Sequence, residues 1–199
     1  MIKISKKIEL NCSRSSCRLL RKKIGLPMRK ELPDDLKKTL RPLTKFGKSH
    51  QFLEIFETLP RDGNKLKLAE TVFYLYNNNL MFINLFASEL NALNNHEKAL
   101  GLLNSLPRDK WDVASSNIAA TSLNGLEKYQ EAFKLLDSLP GESWSNQIYV
   151  TAVTSLNGLE RYQETLDLLK SLPKELWDNR IRYNADIARN RLKAKTEII

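Results

Sequence analysis

A block of 20 residues recurs in this chain at an interval of 33 residues. The sequence TSLNGLEKYQEAFKLLDSLP at 121–140 returns as TSLNGLERYQETLDLLKSLP at 154–173, with 15 of 20 positions identical. A third copy at 88–107 keeps the leucines, the Asn, the Glu and the closing Ser-Leu-Pro. All three tryptophans occupy one column of this repeat: Trp111, Trp144 and Trp177. A regular period in the thirties is typical of stacked arrays, in which each unit buries its apolar face against its neighbours.

The first half of each unit predicts a helix that starts near the tryptophan and stops at an Asn-Gly pair. Gly125 lies 14 residues after Trp111, which is a helix length, and Gly158 repeats this position in the next copy. Because glycine readily adopts the left-handed conformation, we expect these two glycines to terminate the helices. Asp109 and Ser143 precede the tryptophans and are candidate N-caps.

The second half of each unit predicts a shorter amphipathic helix. Its apolar residues follow spacings of three and four and end at a Ser-Leu-Pro turn: Tyr129, Ala132, Phe133 and Leu136. No strand signal is present in the repeat. The unit is therefore an αα-hairpin, and we expect an all-α fold: a short α-solenoid, right-handed by analogy with known helical-repeat arrays.

The array is expected to occupy residues 49–194 and to follow an N-terminal segment at 1–48. Its first unit is irregular, because 52–60 copies the end of a second helix but departs from the 33-residue spacing. The regular units are 78–110, 111–143 and 144–176, with a capping helix at 177–194 and a tail at 195–199. The capping helix has basic residues where a further unit would need apolar ones, as a solvated end requires: Arg180, Arg182, Arg189, Arg191, Lys193 and Lys195.

The net charge of +9 belongs to the N-terminal segment. Residues 1–50 contain 15 basic and 4 acidic residues, whereas the rest of the chain contains 17 basic and 19 acidic residues. The segment is predicted to include a short helix near 34–41 and a cluster that could neutralise phosphates or an acidic membrane surface: Arg18, Arg21, Lys22, Lys23, Arg29 and Lys30. A targeting segment, such as an organellar transit peptide, and a solubilising tail are the alternatives.

The repeat resembles the tetratricopeptide-like superfamily. The order Gly125, Tyr129, Ala132, Pro140 is similar to the Gly, aromatic, Ala, Pro order of tetratricopeptide repeats, although the second helix is about one turn shorter. Residues 132–140 also look like the end of short pentatricopeptide repeats, but two extra residues follow the Gly. The positions that pentatricopeptide proteins use for base choice would fall near Ser115 and Ile148, so no base code is maintained. The resemblance covers about residues 49–192.

The resemblance implies that the first helix of each unit lines a concave binding surface. Two neighbouring columns at intervals of 33 vary in character, and we predict that they contact a partner. The first column is Ile83, Ser116, Tyr149 and Arg182, and the second is Asn84, Asn117, Val150 and Tyr183. Ordinary surface or inter-repeat packing is the alternative. A third column stays mostly small, as a close helix contact needs: Phe86, Ala119, Ala152 and Ala185.

Two further features have a functional and a structural interpretation. The tryptophans could form an aromatic platform for bases, but a large ring beside each Leu-Pro turn is better explained by packing between units. Three arginines near the C-terminus could bind an acidic peptide or a phosphate, but a solvated cap is the favoured explanation: Arg182, Arg189 and Arg191.

No catalytic, metal or cofactor site is predicted. His96 occupies the column of Tyr129 and Tyr162 and is interpreted as a packing residue. Cys12 and Cys17 lack the paired spacing of a zinc site and are expected to be free thiols. The chain has no glycine-rich phosphate loop or nucleophile elbow, and its longest nearly apolar stretch, 80–87, is far shorter than the ~20 residues that span a bilayer.

The sequence therefore favours a non-catalytic scaffold that binds a partner protein or peptide on its repeat surface. An RNA-binding or ribonucleoprotein role, with nucleic acid held through the N-terminal segment, is the first alternative. A secreted bacterial effector that engages host proteins is the second. We expect a monomer or weak dimer in the cytoplasm, with an organellar matrix or secretion as alternatives.

Overall fold

The described part of the chain is built from α-helices. A computed structural model describes residues 65–66, 68–70 and 79–196, and these residues include no strand. Residues 65–66 and 68–70 are helical and precede the first complete helix. Seven complete α-helices follow: α1 (Leu80–Ala92), α2 (His96–Leu103), α3 (Val113–Gly125), α4 (Tyr129–Asp137), α5 (Asn146–Gly158), α6 (Tyr162–Lys170) and α7 (Asn179–Thr196). The all-α prediction is confirmed for these residues.

The helices start at regular intervals. The first helices α1, α3, α5 and α7 begin 33 residues apart, and so do the second helices α2, α4 and α6. Each second helix is followed by a Pro and one turn of 3-10 helix, at Arg108–Lys110, Gly141–Ser143 and Lys174–Leu176. The proline cannot continue the helix, and the short turn leads the chain into the next first helix.

The N-caps lie later than predicted, by three residues in α3 and by two in α5. Asp109 and Ser143 lie inside the 3-10 turns, and the tryptophan that follows each turn is extended. The cap of α3 is Asp112, whose side chain accepts a hydrogen bond from the Ser115 N–H at 2.7 Å. The equivalent positions, 33 residues apart, are Asn79, Ser145 and Asp178. The prediction was wrong because the turn after the proline uses three residues before the helix can start.

The left-handed residues also differ from the prediction. Gly125 and Gly158 are the last residues of their helices, and the positive φ angles belong to Glu127 at 59° and Glu160 at 56°. After the end of α3, the Lys128 N–H donates to the Leu123 carbonyl at 2.8 Å, as in a Schellman motif. Glycine is required instead for close packing. A Cβ on Gly158 would lie 2.5 Å from the Tyr129 ring, and one on Gly125 would lie 2.3 Å from His96.

The helices pack in overlapping pairs. Each first helix packs against the second helix of its own unit and against the first helix of the next, and each second helix also packs against the following first helix. The small column predicted for close contact is fully buried at these junctions: Phe86, Ala119, Ala152 and Ala185. Three apolar clusters result, one after another along the chain.

A column of asparagines joins successive first helices. Asn91, Asn124 and Asn157 donate to backbone carbonyl groups 27 residues later, at 2.9–3.0 Å. The Asn124 side-chain oxygen accepts from Ser155 Oγ at 2.8 Å, and the oxygen of Asn91 accepts from Ser122 in the same way. Because buried amides need partners, these bonds specify how one first helix aligns with the next.

Candidate binding surface on the first helices

The two sets of helices differ in charge. Helices α1, α3 and α5 contain one charged residue, Glu89, which is buried and paired with Lys65 at 2.9 Å. Every second helix has at least two acidic or basic residues, and most of them are exposed. The exposed surface of α1, α3 and α5 is therefore uncharged, whereas that of the second helices is charged.

One stripe of each first helix is open to solvent. It consists of three columns at 33-residue intervals, which together we term the first-helix surface: Met81, Ala114, Gln147 and Arg180; Ser88, Thr121, Thr154 and Ile187; Ala92, Gly125, Gly158 and Arg191. The first and third columns are exposed throughout, and the second is half-buried. Spacings of seven and four along each helix place the three columns on one face.

The residues that α3 contributes to this surface are small: Ala114, Thr121 and Gly125. Thr121 donates its hydroxyl to the Asn117 carbonyl at 2.9 Å, and Thr154 does the same to Val150 at 2.8 Å. Asn117 lies beside the stripe, and its side-chain oxygen is buried with no hydrogen-bond partner among the described residues. The surface can therefore admit a backbone at close range.

The structure separates the two predicted binding columns. In the first column, Ile83 and Ser116 are buried, and Tyr149 packs edge-to-face on Trp144 at a ring-centroid distance of 5.1 Å. Arg182, the last member, is exposed. Each residue of this column follows an exposed position, such as Met81, by two residues. Its side chain therefore points about 200° round the helix axis from the first-helix surface. A period of 33 identifies equivalent positions but not which of them face solvent.

The second predicted column borders the first-helix surface. Asn84 is buried, Asn117 and Val150 are half-buried, and Tyr183 is 68% exposed. Exposure thus increases towards α7. The structure places Asn117, Val150 and Tyr183 at the border of the first-helix surface, and their binding role stays a prediction. The predicted binding columns did not include Gln147 and Arg180, although a helical-wheel projection of the aligned helices would have placed both on the exposed face.

Asn84 belongs to a polar network at the start of α3. It donates to Asp112 Oδ1 at 3.1 Å and accepts from Ser115 Oγ at 2.9 Å. Partial desolvation of Asp112 acts to raise its pKa, but hydrogen bonds from Ser115 and Asn84 outweigh it and hold the pKa below its usual value. The ionised cap therefore joins α1 to α3.

Helix α7 brings charge to the end of the first-helix surface. Arg180 donates to Gln147 Oε1 at 2.6 Å and to Asp178 Oδ2 through two nitrogens. The Ile181 backbone N–H and the Arg180 side chain lower the pKa of Asp178.

Arg191 is exposed and forms no hydrogen bond or ion pair with the described residues. Lys195 lies over the Tyr162 ring at 5.1 Å and pairs with Glu160.

The tryptophans are half-buried and pack against the three apolar clusters, as the packing interpretation predicted. Trp177 donates its indole N–H to the Leu172 carbonyl at 3.1 Å, and the Arg108 guanidinium lies 3.8 Å from the Trp111 ring centroid. The rings therefore close the junctions between units. They do not form an exposed stack for bases.

Several predictions fall outside the described residues. These include the N-terminal segment at 1–48 with its helix at 34–41, the start of the array at 49–64, and the proposed anion-binding residues: Arg18, Arg21, Lys22, Lys23, Arg29 and Lys30. Within the described ranges, no group of three or more His, Cys, Asp or Glu residues could hold a metal ion. No helix of those ranges is long and apolar enough to cross a membrane.

Comparison of the chain with protein-family models, with curated proteins and with solved structures finds no match.

Proposed function

We propose that this chain is a short right-handed solenoid of tetratricopeptide-like helix pairs and that it binds an extended segment of a partner protein. Support for the architecture comes from the helix starts at 33-residue intervals and from the packing of each unit on the next. The asparagine column adds a hydrogen-bonded alignment between successive first helices. The proposed role is non-catalytic.

The observation that carries the binding proposal is the uncharged first-helix surface of α1, α3 and α5. Nucleic-acid surfaces rely on Lys and Arg to neutralise phosphates, and these three helices expose neither. Small side chains such as Ala114 and Thr121 leave room for a peptide backbone. Regular packing of the helices limits the ordering cost of binding on the protein's side.

To test the proposal, dodecapeptides that bind the full chain are selected from a random library by phage display. Their affinity is then measured by fluorescence anisotropy. Ala114→Arg places a long charged side chain on the exposed first-helix surface, and we expect it to weaken the selected peptides by about tenfold or more, because both shape and charge complementarity are lost. Gln130→Arg adds the same charge at an exposed position of α4 and should leave their affinity unchanged.

Single-stranded RNA is measured in parallel, because the two ligand classes respond oppositely to an added cation. If the full chain selects no peptide, and if Ala114→Arg tightens RNA binding where Gln130→Arg does not, the first helices contact phosphate and the proposal is wrong. Equal loss of peptide binding in both variants would also contradict it, because the site would then not lie on the first helices.

A further inference from the structure

The first-helix surface changes character at α7. Four residues of this helix continue the face that is uncharged in the earlier first helices, with spacings of three, four and four: Arg180, Tyr183, Ile187 and Arg191. Tyr183 is 68% exposed, the largest exposed fraction among the big apolar side chains of the described residues. An apolar pair is thus placed between two arginines at one end of an otherwise neutral surface.

The two arginines differ in how they are held. Arg180 is fixed by Asp178 and by Gln147 of α5, so part of its charge is already balanced. Arg191 forms no hydrogen bond or ion pair with the described residues, and its guanidinium keeps all five N–H donors. The positions equivalent to Arg191 are glycines in α3 and α5, and both of those helices end at the glycine. Helix α7 continues past Arg191 to Thr196.

The charged residues that α7 itself contributes are mostly basic. Helix α7 contains six basic residues and one acidic residue, Asp186. Asp186 pairs with Arg189 at 2.6 Å on the other side of the helix, away from the first-helix surface. Glu160, which pairs with Lys195, is also near enough to interact with the charge of Arg191. A carboxylate brought to Arg191 would still meet a planar fork that can bind it through two hydrogen bonds.

We infer that the α7 end of the first-helix surface is an anchoring subsite for an acidic residue of the partner segment, placed next to an apolar residue that packs on Tyr183 and Ile187. The inference rests on the proposed function and adds the direction in which the partner segment lies on the surface. The neutral part of the segment lies along α1, α3 and α5, and its apolar and acidic residues lie on α7. From Arg180 to Arg191 the helix rises about 16 Å, which an extended segment spans with about five residues.

The test uses peptides selected from random dodecapeptides on the full chain. We expect the selected sequences to be enriched in Asp or Glu near one end, beside an apolar residue. Changing that acidic residue to its amide should weaken binding to the unmodified protein by about three- to tenfold, because one charge-assisted contact is lost. In the Arg191→Gln variant the acidic peptide and its amide should bind equally, which isolates the pair as in a double-mutant cycle.

Arg189→Gln is the matched control, since it removes the same charge from the opposite side of α7. In this variant the acidic peptide should keep its advantage over the amide. Tyr183→Ala should weaken both peptides alike, because it removes the apolar half of the subsite. The inference is overturned if the two peptides bind the unmodified protein equally, or if their ratio is the same in Arg191→Gln. If no peptide is selected at all, the proposed function fails and the inference fails with it.

Discussion

The first helices α1, α3 and α5 and the last described helix, α7, share one register but place side chains of opposite character at equivalent positions. Leu123 of α3 is buried in an apolar cluster, whereas Arg189, two repeat intervals later, is exposed. Ala120 and Asp186 differ in the same way, and both Asp186 and Arg189 face solvent. The position in the register decides which direction a side chain points, and the presence of a following second helix decides whether it must be apolar.

The largest effect is expected from exchanging residues between these two regions. Leu123→Arg gives α3 the residue that α7 has at the equivalent position, Arg189. It should lower the free energy of unfolding by on the order of 4 kcal/mol, because a cation is buried without a partner. Leu123→Ala should cost about 3 kcal/mol and gives a graded measurement if the Arg variant does not fold. Urea denaturation followed by circular dichroism measures both.

The reverse exchange is the control. Arg189→Leu should change the free energy of unfolding by about 0.5 kcal/mol or less, since the side chain is exposed and its pairing with Asp186 is exposed too. A large loss of stability in this variant would show that a further packed element depends on the end of α7, and the comparison between the two regions would not hold.

A smaller effect is expected at the glycine column. Gly158→Ala places a Cβ 2.5 Å from the Tyr129 ring, and we expect a loss of about 2 kcal/mol because the ring must shift within a packed junction. The same substitution in a Tyr129→Ala background should cost much less, since the ring is absent. At the equivalent position of α7, Arg191→Ala should have little effect on thermal unfolding.

The turn beside this glycine supplies an independent check. Glu160 is the left-handed residue, at φ 56°, so Glu160→Gly should raise stability by about 0.5–1 kcal/mol. Loss of the exposed pair with Lys195 should reduce this gain only slightly. If Gly158→Ala were harmless and Glu160→Gly destabilising, the assignment of close approach to the glycine and of the left-handed conformation to the glutamate would be reversed.

A pH-dependent effect is expected at the N-cap of an interior helix. Asp112→Ala should lower the free energy of unfolding by about 1–2 kcal/mol at neutral pH, because α3 loses a cap that also holds Asn84. The folded-state pKa of Asp112 is lowered, so its contribution is present above the unfolded value near 3.8 and is lost as the pH falls through the folded value.

Denaturation series at pH 7 and at pH 3 check this sign. The difference between the unmodified protein and Asp112→Ala should shrink at the lower pH. Ser145→Ala alters the equivalent cap of α5, which does not titrate and makes no side-chain capping bond, so its effect should be small and independent of pH. A difference for Asp112→Ala that grows on acidification would contradict the lowered pKa.

The register of the helices could be predicted from the sequence because it depends on spacing along the chain. The period of 33, the Asn-Gly pair and the Ser-Leu-Pro turn indicated paired helices, and the structure confirms an all-α fold in its described residues. The boundaries were less predictable. Asp109 was expected to cap α3, but the turn after Pro107 moves the cap to Asp112, since a 3-10 turn and a helix start both favour polar residues there.

The sequence by itself determined which positions are equivalent, since equal spacing places residues such as Gly125, Gly158 and Arg191 at the same point of successive helices. Only the tertiary structure decided what those positions do. Gly125 was expected to be left-handed but provides room for His96, and Ile83 was expected on a binding surface but is buried. The physical reason is that exposure and close approach depend on which helix packs on which side, and that is settled by neighbouring units rather than by the spacing within one.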